Sequence, residues 1–160
     1  MPDWHMHHKV EKPANDNEYL ERMSRVIFAA GLNWRVLEKK WPGIVKAYGG
    51  FDVAKVAGYL EPDIERLMND PDVIHNLAKL RAIIANAKEM QAIAADYGSF
   101  ENYLASVRKE AGEDGLVATL SKRFAFLGKG TTVIFLFAVG QDMPKAAAEW
   151  QARHDKMQTT

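Results

Sequence analysis

Apolar residues recur along most of this chain at spacings of three and four, the period of helices that bury one face. Over residues 16–30 they are Tyr19, Met23, Val26, Ile27 and Ala30, with Asn15 or Asp16 placed to cap the helix and Gly31 placed to end it. Asn33 can cap a second helix carrying Val36, Leu37 and Trp41, which Pro42-Gly43 either ends or forces to restart. Gly49-Gly50 is a break, and Asp52 can cap a short turn over Val53–Tyr59. Two copies of one signature follow, Glu61-Pro62-Asp63 and Asp70-Pro71-Asp72, each read as a helix start with acidic residues at the positive helix end. The helix from Val73 to about Ala95, with Val73, Ile74, Leu77, Leu80, Ile83, Ile84, Ala87, Met90 and Ile93 on one face, is expected to be central.

Ser99 starts a further helix with Phe100, Tyr103, Leu104 and Val107 facing inward, ended by a polar loop over Ala111–Gly115. Leu116–Phe124 forms another, Gly128-Lys129-Gly130 separates it from the apolar Thr131–Gly140 segment, and Pro144 opens a last helix to about Lys156. Thr131–Val139 has the composition of a buried strand, but no second β-like run exists to pair with it. A lone strand leaves its backbone groups unsatisfied, so a buried helix is expected. The expected fold is all-α, with a single helical domain over 16–157. Residues 1–15 lack any period and read as an N-terminal arm, flexible or docked by Trp4.

Composition narrows the chemistry. The 160 residues suffice to bury roughly two-thirds of the unfolded surface in one core. Twenty-one basic residues balance twenty-one acidic ones, so no basic surplus advertises a polyanionic partner, although a local basic face is compatible with that balance. The absence of cysteine removes disulfides, thiolate catalysis and sulfur-ligated zinc, and suits a cytoplasmic setting. No apolar stretch reaches the length of a membrane-spanning helix, and the start has no signal-peptide core.

Local motifs are weighed against plainer readings. Gly128-Lys129-Gly130-Thr131-Thr132 echoes the end of a phosphate loop but lacks its first glycine and spacer. His5, His7 and His8 could share a metal on an extended segment. With no further ligand placed to complete a shell they read as a solvated arm, and no metal or cofactor is expected. His75 and His154 stand alone. Leu67-Met68-Asn69-Asp70-Pro71-Asp72-Val73-Ile74 is a tight polar connection between two helices, which is either an ordinary helical hairpin or one that offers its amides to a phosphate. In the second case Asn76 and Lys79 point near the same anion. Trp34, directly after Gly31-Leu32-Asn33, is either core packing or an aromatic platform at a helix corner, with Leu32 as an apolar wedge.

These pieces together resemble the bacterial 3-methyladenine DNA glycosylase I family, all-helical members of the helix-hairpin-helix DNA glycosylase superfamily. The likeness runs from about Asn15 to Gly140. It rests on Ala30-Gly31-Leu32-Asn33-Trp34, on Phe51-Asp52-Val53-Ala54-Lys55-Val56-Ala57 and on Asp63-Ile64-Glu65-Arg66-Leu67-Met68. It continues through 73–87 and ends on Phe124-Ala125-Phe126-Leu127-Gly128 with Thr131-Thr132. The resemblance implies excision of an alkylated base from double-stranded DNA in base-excision repair. Gly31, Leu32 and Asn33 become the DNA plug, Trp34 the platform for the flipped base, and Asn76 and Lys79 the contacts to the DNA backbone.

Three departures accompany it. The family's pocket carboxylate, eight residues before the tryptophan, falls on Val26, so the catalytic residue is left unassigned. The family's N-terminal Tyr-His-Asp-x-Glu-Trp-Gly motif is absent, with Trp4-His5 at most a remnant, and the family's zinc site lacks its cysteines. Glu18, Glu21 or Glu38 could supply a substitute carboxylate, and nothing in the spacing favours one. A catalytically inactive DNA-binding relative, or a scaffold reused for a small molecule or another protein, therefore stand beside the glycosylase reading. Substrate base and oligomeric state do not follow from these residues.

Overall fold

A computed structural model describes residues 10–158, in which eight α-helices and no strand are found. In order they are α1 (Asp16–Ala29), α2 (Trp34–Ala47), α3 (Val53–Ala57), α4 (Glu61–Asn69), α5 (Leu77–Tyr97), α6 (Phe100–Arg123), α7 (Lys129–Ala138) and α8 (Pro144–Gln158). A short 3-10 turn, Gly49–Phe51, links α2 to α3. None of the described helices is long and apolar enough to cross a membrane.

The helix starts follow from side-chain capping, since the first amides of a helix lack backbone partners and small polar residues supply them. Asn15 receives the amide of Glu18 (3.0 Å), Asn33 that of Arg35 (2.9 Å), Asp52 that of Lys55 (2.9 Å) and Ser99 that of Asn102 (3.0 Å). The 131–139 run is helical up to its cap Val139, with Phe135 and Leu136 fully buried in α7.

Helix α5 is the axis of the bundle and touches α1, α3, α4 and α6. Leu80, Ile83, Ala87, Met90 and Ile93, spaced three or four apart, have no exposed surface. Its start corrects the sequence reading: α5 begins at Leu77, with Asn76 as its cap receiving the Lys79 amide at 3.1 Å, and 73–76 are not helical. The Asp70 carboxylate instead receives the Asp72 amide (2.9 Å) while its carbonyl receives that of Val73 (3.2 Å), so this acid-Pro-Asp signature closes a turn. The earlier copy does start a helix, because the Leu60 amide is taken by the Asp63 carboxylate (2.9 Å).

Two other expectations change in degree. Helix α2 runs straight through Pro42, which costs one backbone hydrogen bond but not the helix. The 111–115 break is a kink within α6, made at Gly112 with φ +70°. That kink turns Glu113 toward α8, whose first amides, Lys145 and Ala146, it receives at 3.0 and 2.8 Å.

Two aromatic groups fill the interior. Phe100 sits among Tyr19, Tyr103, Phe124 and Phe135, and Trp41, Phe51, Tyr48 and Tyr59 form a stacked ladder. Phe51 adopts φ +58°, a left-handed conformation that costs about 1–2 kcal/mol, and is held there by the rings of Trp41 and Tyr48.

Asn86, on α5 and almost wholly buried, donates to the Ala125 carbonyl (3.1 Å) and accepts from the Ala125 amide (2.8 Å). It pins the α6–α7 connection to the central helix. Asn86→Ala strands both backbone groups in a half-buried place and is expected to cost about 2 kcal/mol in urea unfolding. A loss under about 0.5 kcal/mol contradicts this role.

The stretch before α1 is docked where described. The Glu11 amide donates to the Ala138 carbonyl (3.2 Å), and Arg22 Nη1 donates both to that carbonyl (3.0 Å) and to the Glu11 carbonyl (2.9 Å). Trp4, His5, His7 and His8 lie outside the described residues.

Candidate nucleic-acid interface

The corner between α1 and α2 is built by one glycine and two local hydrogen bonds. Ala30 leaves the helix with extended backbone, and Gly31 turns at φ +75°. A Cβ on Gly31 would meet nothing within 4 Å, so conformation rather than space makes glycine necessary here. The Leu32 amide closes the turn on the Ala29 carbonyl (3.1 Å), and Asn33 starts α2 as its cap.

The side chains of the corner divide. Gly31, Asn33 and Trp34 are exposed, whereas Leu32 is half-buried against the core. Trp34 is the first residue of α2, 38% exposed, and the Arg35 guanidinium lies 5.6 Å from its ring centroid. The ring is thus partly exposed, with the Arg35 guanidinium over it.

The connection from α4 to α5 is the second component. His75 Nε2 donates to the Asp70 carbonyl (2.6 Å) and the Asn76 amide to the Ile74 carbonyl (2.9 Å), which fixes the hairpin turn. Leu77 and Ala78, the first two residues of α5, are exposed. Their amides belong to the positive helix end and have no partner within the helix, the arrangement that receives an anion. Asn76 uses its carboxamide oxygen on the Lys79 amide, which leaves its NH2 group available as a donor.

Three contacts bring corner and hairpin together. Lys79 Nζ donates to the Ala30 carbonyl at 2.8 Å, across 49 positions of sequence. Lys40 Nζ on α2 donates to the Pro71 carbonyl in the hairpin turn, also at 2.8 Å. Gly43 lies so close to the same turn that a Cβ there would be 2.4 Å from Asp72 Cβ. None of these ties had a motif in the sequence. A signal for the first did exist: a lysine in the first turn of a helix stands at the end that repels cations.

Val26 is 2% exposed and belongs to the apolar core. Of the carboxylates considered as substitutes, Glu18 receives the Ala14 amide (2.7 Å) at the far end of α1, and Glu21 receives Trp41 Nε1 (3.3 Å). Glu38 stands 3.8 Å from Arg25 and, four residues after Trp34 on α2, shares its side of the helix. Arg25 is sunk against the Trp41 ring, 5.3 Å from its centroid. Burial pulls its pKa down against the opposing pull of Glu38 and Glu21. Among the described residues no group of three or more His, Asp or Glu side chains is placed to hold a metal ion.

The model of the methyladenine glycosylase family matches residues 3–123. DNA-3-methyladenine glycosylase 1 of Escherichia coli K12 is 32% identical over 126 residues, 68% of this chain and 66% of that protein. The Haemophilus influenzae DNA-3-methyladenine glycosylase is 28% identical over 148 residues, 81% of this chain and 80% of that one. A solved structure of 3-methyladenine DNA glycosylase I from Staphylococcus aureus superposes with a TM-score of 0.73 at 29% identity, covering 86% of this chain and 83% of the other. The matched span takes in the corner and the hairpin together, and the chain belongs to the methyladenine glycosylase family.

Proposed function

We propose that this protein is a DNA N-glycosylase that hydrolyses the N-glycosidic bond of alkylated bases of the 3-methyladenine type in double-stranded DNA, acting in base-excision repair in the cytoplasm. The observation that carries the reading is the joining of an exposed aromatic corner to an anion-receiving helix start by Lys79. The relatives named DNA-3-methyladenine glycosylase support the choice of substrate class.

In this reading the Leu77 and Ala78 amides, with the Asn76 NH2 group, take a backbone phosphate and set the register on the duplex. Gly31, Leu32 and Asn33 fill the place a base has left, and Trp34 stacks on the extruded base. A base methylated at a ring nitrogen is cationic while still attached. When the C1′–N bond breaks, the base departs with the bonding pair as a neutral molecule, so no acid need protonate it. Water then adds to C1′ and gives up a proton to solvent or to a nearby base. Val26, buried in the apolar core, offers the base no acceptor, and Glu38 is the described carboxylate on Trp34's side of α2.

The decisive experiment incubates the protein with methylated duplex DNA and measures released bases by chromatography. Release of 3-methyladenine above the protein-free rate is expected. Its absence, with binding that still weakens steeply as salt rises, makes the protein a non-catalytic DNA binder. A flat salt profile removes DNA altogether.

A further inference from the structure

We infer that Lys79 is a positioning residue that fixes the base-probing corner to the phosphate-side hairpin, so that seating of the hairpin on a duplex sets the height of Gly31–Trp34. The mechanical part stands on contacts within this chain alone. Its consequence for DNA rests on the proposed glycosylase reading.

Helix α1 has no basic residue in its last turn, so its carboxyl end, where carbonyls accumulate negative charge, is not neutralised from within. The Ala29 carbonyl is used by the Leu32 amide, and the Ala30 carbonyl by Lys79 Nζ. Lys79 is the third residue of α5 after its cap, where its own helix disfavours a positive charge. An ammonium poorly placed for its own helix is thus well placed for the end of another, and one bond serves both. Partial burial pulls this ammonium below the usual lysine range, in keeping with a side chain drawn inward.

The linkage is short. From the Asn76 cap to Lys79 is one helical turn, and the Lys79 amide is itself held by Asn76, so any displacement of the hairpin end of α5 is passed to Ala30. Ala30 immediately precedes the Gly31 pivot, where nothing but backbone conformation determines direction. Leu32 packing, the corner's own turn and the Lys40 and Gly43 contacts of α2 remain without the tie, but none of these contacts reaches the Ala30 carbonyl.

The test uses Lys79→Met, which keeps most of the apolar stem and removes the ammonium, and Lys79→Arg, which keeps a donor. Amide hydrogen exchange on the free proteins is read residue by residue. The Leu32 amide is expected to exchange about tenfold faster in Lys79→Met, with Leu80 and Val73 unchanged, and Lys79→Arg is expected to recover much of the protection. Unchanged exchange at Leu32 overturns the clamp.

Binding is then measured across a salt series to an undamaged duplex and to one carrying a tetrahydrofuran abasic analogue. The expected result for Lys79→Met is a preference for the abasic duplex reduced about tenfold, a far larger loss than on undamaged DNA. If Lys79 serves instead as a phosphate contact, both duplexes weaken alike and the slope falls by about one. That outcome overturns the positioning role. Should wild type bind neither duplex, the glycosylase reading falls by itself, and the exchange data still decide whether Lys79 holds the corner.

Discussion

Phe100→Ala is expected to remove about 4 kcal/mol of folding stability, the largest loss from any single side-chain truncation considered for this bundle. Phe100 has no exposed surface and stands where α1, α6 and α7 meet. Its ring centroid is 4.9 Å from that of Tyr19, 5.9 Å from Phe124, 6.0 Å from Tyr103 and 6.1 Å from Phe135. The tilted and edge-on geometries of these pairs each add to the value of simple burial. Truncation loses the transfer energy of the ring and leaves a cavity whose walls are rings held on three helices, which cannot all collapse inward. The backbone beside it is fixed as well, because the Phe100 amide donates to the Asp16 carboxylate at 2.9 Å. A domain's whole stability is about 5–15 kcal/mol, so the variant is expected to melt roughly 10 °C lower and to unfold at much lower urea. Phe100→Leu, which refills most of the volume, is expected to lose less than half as much. A loss under about 1 kcal/mol for the alanine variant would mean that the ring is not the keystone of this aromatic group.

Phe100 was legible in the sequence as an inward position, as were most residues placed by local period, but Ala30, Val36 and Leu77, read onto the apolar faces at helix ends, are exposed. Cap residues such as Asn15, Asp52 and Ser99 were legible for the same reason, since their partners lie three residues away. The start of α5 was misread because Asp-Pro-Asp is compatible with two local structures. Near Leu60 an aspartate three residues on takes the free amide and a helix begins, whereas at Asp70 the side chain takes an amide two residues on and a turn forms. Choosing between them depends on where the chain must go next, which is tertiary information. Likewise Gly112 has the conformation that ends a helix, yet the chain resumes helical geometry at once to bring Glu113 onto the start of α8.

At the candidate site the components were legible and their assembly was not. Gly31, Asn33, Trp34 and Asn76 carry recognisable local roles. By contrast, the bonds from Lys79 to Ala30 and from Lys40 to Pro71 join residues 49 and 31 positions apart through flexible side chains and backbone carbonyls, and even the misplaced charge of Lys79 at its own helix start does not say which distant carbonyl it meets. The half-burial of Leu32 changes the picture of the corner as well. Its apolar side chain helps anchor the turn against the core, so the parts exposed before DNA arrives are Gly31, Asn33 and Trp34.

Trp34→Ala is expected to lower the rate of 3-methyladenine release from methylated duplex DNA by about 10- to 100-fold while leaving the melting temperature nearly unchanged. The two halves of this expectation come from the same fact. Because Trp34 opens α2 and is more than a third exposed, its removal opens no core cavity, and surface substitutions of this kind stay within about 0.5 kcal/mol. Stacking of one base on an aromatic ring is worth about 1–3 kcal/mol, and a cationic base gains further from the ring's electron-rich face. That interaction weighs more here than in a pocket holding a carboxylate, because Val26 supplies neither charge nor hydrogen bond to the base. Trp34→Phe, which keeps a smaller aromatic face, is expected to recover part of the rate. The comparison also separates stacking from the neighbouring charge, since Arg35 remains in both variants. If Trp34→Ala excises bases as fast as wild type while folding normally, the ring is not the platform, and recognition must be sought away from the corner.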